Sequence, residues 1–310
     1  MTRSSKVLFI FLLTSVVLQS CVDRISIPDT EESKLVLHCE MTRYNPVVVA
    51  YLSTSDNLNG SRPIDVPEDA SIEISTGTEN SYRLLYDEEL DAYTNSAPFL
   101  WSRVNNLTIV AELPTDDFPV VKGQAKPMPA YSVESVTSTN LQEVAVEQET
   151  FYERDVTITL TEPTVKPAYF ELELTELFST LTIEDGEEVI AQSGERMPVT
   201  VVAINNGGVG MINMSHRPGL LIDHSRLVDN TFSIKVRSAF PITSDDQVFG
   251  ILSTQINSIS KDYYLYHKAY SNTVKATAGQ YSDPAIWNSN IEDGFGLFAV
   301  KTSSGKDFPL

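Results

Sequence analysis

A mainly β chain, built as two β-sandwich domains with one helix in the carboxyl-terminal part, is the fold class this sequence predicts. Three observations carry it. Short segments in which apolar and polar side chains alternate recur through most of the chain, at roughly ten-residue spacing. Clusters of Gly, Pro, Asn and Asp punctuate them. Helical periodicity shows in one stretch alone, close to the carboxyl terminus.

In chain order, Arg3 and Lys6 precede an apolar run over residues 7–18. About a dozen apolar residues make a secretory signal, whereas a membrane span needs about 20. Leu18-Gln19-Ser20-Cys21 sets a small residue immediately before a cysteine, and this resembles a bacterial lipobox. The resemblance implies a lipoprotein signal peptide over residues 1–20. Cys21 then becomes the first residue of the mature chain, diacylated through sulfur and N-acylated, with membrane lipid as its partner. Several acyl chains anchor durably, because each buried CH2 contributes roughly 0.8 kcal/mol. Val22 follows the cysteine, so the aspartate that retains lipoproteins at the inner membrane is missing and the outer membrane is expected. The periplasmic and surface leaflets both stay open, since Asp23 is followed by Arg24 and the acids Asp29, Glu31 and Glu32 lie further on. Residues 21–33, polar and containing Pro28, read as a tether.

The first sandwich is expected over residues 34–125. Leu35-Val36-Leu37-His38-Cys39 and residues 47–52 are apolar strand-like runs. A loop rich in Asn, Gly, Ser and Pro over 57–67, an alternating segment over 70–74, a turn over 76–80 and a strand over 82–86 follow. The acidic loop Asp87-Glu88-Glu89-Leu90-Asp91 and the strand over 107–111 complete the set. Strands of this spacing suit an immunoglobulin-like sandwich. Gly123, Pro127 and Pro129 mark the boundary.

The second, β-rich domain is expected over 126–310, with strands at 131–136, 156–160, 199–202 and 248–256. Phe170, Leu172 and Leu174 alternate with Glu171, Glu173 and Thr175, which reads as a strand with one wet face. Phe232, Ile234 and Val236 alternate with Ser233, Lys235 and Arg237 in the same way. Asp185-Gly186 between Glu184 and Glu187 signals a hairpin tip. Residues 205–219, with four glycines, read as irregular. The helix is expected near 260–278: Ser260 caps it, Asp262 favours its first turn, Tyr263, Tyr266, Tyr270 and Val274 share one face, and Gly279 stops it. This tyrosine stripe either packs against the sheet or, with Trp287, forms a contact surface, so Tyr263, Tyr266, Tyr270 and Trp287 are the interface candidates. A turn over 290–296 feeds a final strand.

Composition bounds function. Without the signal about 290 residues remain, enough for one large or two ordinary domains. The formal charge of −20 argues against nucleic acid, whose binding needs clustered Lys and Arg. It also disfavours a polybasic grip on anionic lipid. Of two cysteines, Cys21 is assigned to lipid, so Cys39 is expected as a buried thiol outside any disulfide. Four histidines leave little for zinc. His216, Asp223, His224 and Asp229 cluster in sequence, but their spacing fits no metal site. Asp87–Asp91 and Asp245-Asp246 lack the ligand order of an EF-hand. Asn205-Asn206-Gly207-Gly208-Val209-Gly210 lacks the Lys-Ser/Thr of a P-loop, and neither Gly-x-Ser-x-Gly nor His-Glu-x-x-His occurs. No cofactor is expected. A carboxylate pair hidden among 42 acids keeps a glycan or peptide hydrolase as the alternative.

The lipobox, the strand over 35–39, the tyrosine-rich segment 263–270, and then Asn290-Ile291, Gly294-Phe295-Gly296 and Phe298 together resemble a domain-of-unknown-function family of lipoproteins from Bacteroidetes-type bacteria. Ser233 departs from the glycine expected there. Members of that family are often encoded beside TonB-dependent outer-membrane receptors. The resemblance implies a non-catalytic binding or accessory module, partnered with such a receptor, and it supplies no catalytic residues. An adhesin or structural surface protein is the third reading.

Overall fold

The computed structural model describes residues 34–309 apart from 56–67, 78–79, 102–103, 116, 167, 185–186, 205–209, 215, 240, 242–246 and 277–287. Cys21 with its lipobox, the tether, the 57–67 loop, Asp245-Asp246, Gly279 and Trp287 lie outside the described residues.

Alternation decides burial from the first strand. β1 (Leu35–Thr42) buries Leu35, Leu37, Cys39 and Met41 and turns Val36, His38, Glu40 and Thr42 to the opposite face. β2 (Val49–Thr54), β3 (Ser71–Ser75), β4 (Ser81–Asp87), β5 (Ala92–Asn95), β6 (Leu107–Glu112) and β7 (Val121–Ala125) follow. Their inward residues enclose a first core with Phe99 and Trp101. Cys39 is the buried free thiol expected, its pKa pushed well up by burial.

The next run comprises β8 (Val133–Val146), β9 (Glu149–Leu160), β10 (Tyr169–Glu184), β11 (Glu187–Pro198), β12 (Thr200–Ile204), β13 (Met211–Asn213), β14 (Leu220–Asp223), β15 (Thr231–Arg237) and β16 (Gln247–Ile259). The four-stranded sheet β12-β15-β9-β8 contributes Val156, Ile158, Phe232 and Ile234 to a second core, against Phe170, Leu172, Leu220 and Ile256 of the larger sheet. The β10–β11 hairpin pairs Glu184 with Glu187, where Asp-Gly signals a turn. Helix α1 (Lys261–Ala276), β17 (Ile291–Glu292) and β18 (Phe295–Pro309) end the chain. With 60% of residues in strands and 7% helical, the chain is mainly β, its sheets arranged like a sandwich and its helix in the carboxyl-terminal part.

β18 joins the two halves. It pairs in parallel with β1, from Val36↔Phe295 to Thr42↔Lys301. It then pairs antiparallel with β16, from Ser258↔Thr302 to Ile251↔Pro309. The large sheet thus runs unbroken through both segments, in the order β13-β14-β10-β16-β18-β1-β2-β5-β4-β3-β6-β7-β17. Residues 35–125 supply most of the first core, and Ile291, Phe298 and Val300 complete it. Asn290 fastens this seam: its amide donates to the Phe298 carbonyl at 2.7 Å and to the Gln124 carbonyl at 3.3 Å, and its carbonyl accepts the Phe298 N–H at 2.8 Å. Gly296 has φ +116°, and a Cβ there would collide with the backbone of Leu37.

Gly296→Ala is therefore expected to lower the melting temperature clearly: the left-handed backbone alone costs about 1–3 kcal/mol for a side-chain-bearing residue, before the collision with β1. A thermal melt within a degree or so of wild type would contradict this account of the seam.

Candidate functional site

The helix begins where the sequence places it. The Ser260 hydroxyl accepts the Tyr263 N–H at 3.2 Å, and the Ser260 carbonyl accepts the Tyr264 N–H at 3.1 Å. Helical spacing then lays Tyr263, His267 and Ser271 on the sheet, all buried. Around Tyr263, a third core of Leu221, Ile259, Leu297 and Ala299 forms between helix and sheet.

Beside it lies a cluster of charge. The outward residues of four strands meet there: His38 and Glu40 from β1, Glu171 from β10, Asn257 from β16 and Lys301 from β18. His216 and Arg217, on the segment between β13 and β14, reach in from the side. Arg217 binds Glu40 at 3.1 Å and Glu171 at 2.8 Å. Lys301 approaches Glu171 at 3.2 Å, and the Tyr263 hydroxyl donates to Glu171 at 2.8 Å. Arg217 also touches the Tyr263 hydroxyl. The Glu171 side chain is 1% exposed. The face read from alternation as wet is dry at this position, because helix and Arg217 cover it.

The imidazoles continue the network. His267 Nε2 lies 2.7 Å from Glu40 Oε1, and so short an approach to a carboxylate places the ring proton on Nε2. His267 Nδ1 then accepts from His216 Nε2–H at 3.2 Å, and His216 Nδ1 accepts from the Ser271 hydroxyl at 3.2 Å. The two rings stack with centroids 5.3 Å apart. Burial pushes the Glu40 carboxyl up, but hydrogen bonds from His267 and His38 and the nearby charge of Arg217 outweigh it and hold it well below the usual range. Burial lowers His267. Burial, His267 and Arg217 lower His216 from 6.5 to about 4. Burial, with Glu171 and Glu40, raises Tyr263 well above its usual 10, so it stays a phenol.

This arrangement can fix a helix and transmit a proton along a Ser-His-His-Glu line. It does not suit a cation, because Arg217 sits 3.3 Å from His267 Nε2. No group of three or more His, Cys, Asp and Glu is placed to hold a metal among the described residues. Of the sequence-adjacent ligand candidates, only His216 joins the cluster. Asp223 caps a short turn through Ser225 and pairs with Arg226, and His224 is buried against Phe170. Asp229 stands in the turn before β15 with φ +52°. In the acidic loop, Asp87 accepts the N–H of Glu89 and Asp91 accepts the Tyr86 hydroxyl.

The interface candidates separate. Tyr263 is fully buried, Tyr266 is half-buried against His38, and Tyr270 is 41% exposed beside the His216 ring. Sequence reasoning missed Glu40, Glu171, Arg217, His267 and Lys301 as a group. The one local signal is Tyr263 and His267 one helical turn apart, above a strand with Glu171 between apolar neighbours. Among the described residues no helix is long and apolar enough to cross a membrane.

Fold and cluster together define a mainly β protein whose carboxyl-terminal strand knits two cores and whose carboxyl-terminal helix is held by hydrogen bonds to ion-paired carboxylates. The chain belongs to the family described as Domain of unknown function (DUF4249), whose model matches residues 23–307. No curated protein matches it. Among solved structures, it is similar at 6% identity and a TM-score of 0.14 to a "Biofilm associated protein - B domain", over 88% of this chain and 85% of that one, a likeness too slight to bear on fold or function.

Removing the Glu171 charge leaves Lys301 buried without its carboxylate, so Glu171→Gln is expected to cost about 3–5 kcal/mol in urea denaturation; a loss below about 1 kcal/mol would refute the cluster's structural role. The histidines set a pH dependence. Their folded pKa values lie below the unfolded value, so the unfolded chain binds more protons as pH falls. Stability is then full above about pH 6.5 and declines towards about pH 4, with His216→Gln flattening the slope across this window. Denaturation midpoints measured across that range check it.

Proposed function

We propose that the chain is an outer-membrane lipoprotein, held by acylated Cys21, that acts as a non-catalytic binding or accessory module for a TonB-dependent transporter. The observation that carries this reading is Leu18-Gln19-Ser20-Cys21 behind a basic, short apolar leader. The family assignment is in keeping with it. Support also comes from the cluster: its acids are engaged by Arg217, Lys301 and His267 and covered by the helix, an arrangement that favours holding a shape over attacking a bond. The excess of acid leaves protein as a more natural target than nucleic acid. Two-dimensional confinement raises the effective concentration of any membrane partner, so a modest interface is occupied. On the folded unit, Tyr270 is the exposed aromatic nearest the cluster.

The test is cross-linking in intact cells followed by mild-detergent pull-down and mass spectrometry. Wild type is expected to retain a TonB-dependent receptor, and Cys21→Ala to lose lipid labelling, membrane partition and the receptor together. Membrane partition of Cys21→Ala after a high-salt wash would overturn the anchor. Absence of any such receptor from the wild-type sample would overturn the accessory role.

A further inference from the structure

The sheet face that the helix covers at Glu171 is open further along. There three strands present matched ranks of side chains. Glu173 of β10 faces Gln255 of β16, which faces Gly305 of β18. In the next rank, Thr175 faces Ser253 and Ser253 faces Asp307. Arg196 of β11 closes one side, and the groove so formed has a volume of about 400 Å³.

Its lining holds no apolar side chain, which argues against an acyl chain as the ligand. Two of its charges compensate each other. Arg196 grips Asp307 with two hydrogen bonds of 2.9 Å, and the Ser253 hydroxyl donates to Asp307 at 2.6 Å. Lys306 donates to the Glu134 carbonyl at 3.2 Å. Burial, then the Glu171 charge, raises the Glu173 carboxyl above its usual 4.5, and its Oε1 accepts from the Asn257 amide at 2.9 Å. A groove whose one ion pair is satisfied within itself and which is rich in fixed donors and acceptors matches a ligand that carries many hydroxyls. Asp307, engaged by three donors, positions and does not attack.

Gly305 points independently to an occupant. Glycine inside a strand is destabilising relative to alanine. Packing does not require it here: a Cβ would meet nothing nearer than the Thr254 carbonyl oxygen, at 3.7 Å. What the missing side chain leaves is an open floor beside Gln255, the arrangement found where a ligand approaches the backbone closely.

We propose that this groove binds a short glycan segment, of about two sugar units for a cavity of this size, through Glu173, Thr175, Arg196, Gln255 and the bare backbone at Gly305. The site stands whether or not the chain is lipid-anchored or partnered with a receptor.

The test is calorimetric titration of the full chain in mild detergent with maltose, cellobiose, xylobiose and N,N′-diacetylchitobiose, and with glycylglycine and inorganic phosphate as charged probes. At least one disaccharide is expected to bind saturably. Gly305→Val, a substitution that suits a strand, is expected to weaken it by about tenfold or more while the melting temperature holds. Gly305→Ala falls between the two. Failure of all four sugars at millimolar concentration, equal affinity in Gly305→Val, or binding of the charged probes in place of the sugars would each overturn the assignment. Membrane partition and receptor capture are untouched by these variants, so failure here is distinct from failure of the anchored-module reading.

Discussion

Everything in the described chain depends on β18 having two different neighbours along its length. Its first half lies parallel to β1 and its second half antiparallel to β16. The strand therefore sends Phe298 and Val300 into the first core, Leu297 and Ala299 into the core under the helix, and Phe308 against the second. A parallel pair between the two ends of a chain closes the largest loop available, and its entropy must be met before the pairing is rewarded. The first core lacks three of its residues until that closure happens. Residues 34–125, sandwich-like in pattern, thus complete their core only with the carboxyl terminus. β1 is held on both sides, by β18 and β2, so the segment entering at Lys34 meets an ordered strand at once, the usual way a terminus is tied down.

Charge does for the helix what apolar packing does for the sheets. Two buried carboxylates, Glu40 and Glu171, face two cations, Arg217 and Lys301. Burying such ions costs several kcal/mol each, and a well-packed apolar replacement is often as stable. What the ions add is direction. The helix face carrying Tyr263 and His267 meets its partners in one register, with Tyr263 reaching Glu171 and His267 reaching Glu40; a slide of one turn separates both pairs. Segment and helix are fastened by the same residues, since Arg217 and His216 bind across to Tyr263, His267 and Ser271. The Arg217 Nε, buried without a partner, is what this convergence leaves unsatisfied.

Local rules made much of this legible. An apolar run identified β1, period two identified β10 and β15, Asp-Gly identified the hairpin after β10, and a serine cap with one apolar stripe identified the helix. Each depends on neighbours within a few residues. The same rules failed where partners are distant in sequence. Glu171 alternates like any solvated acid, and only the helix 90 residues on decides that it is dry. Tyr263 and Tyr270 share a helical stripe, yet one is fully buried and the other 41% exposed, because the first lies over the sheet at Glu171 and the second, two turns on, stands beside the His216 ring. His216 and His267 meet across 51 residues, a separation no motif spacing encodes. The motif residues Asn290, Gly296 and Phe298, legible only as a resemblance, prove to be the fastenings of the β1–β18 seam.

One residue ties the closed part of the sheet face to the open part. Asn257 donates to Glu171 at 3.2 Å and to Glu173 at 2.9 Å, and its carbonyl accepts the Ser303 hydroxyl at 2.6 Å. The amide is thereby fixed in one orientation, with both hydrogens directed at carboxylates. Glu171 cannot shift without disturbing Arg217 and Lys301, so Asn257 cannot rotate, and Glu173 is presented to the groove in a set position. An acid held in place before a ligand arrives loses little side-chain freedom when it binds. The cluster thus acts on the groove through stiffness: the ion pairs that fix the carboxylates bound by the helix also set the geometry of the polar groove beside it.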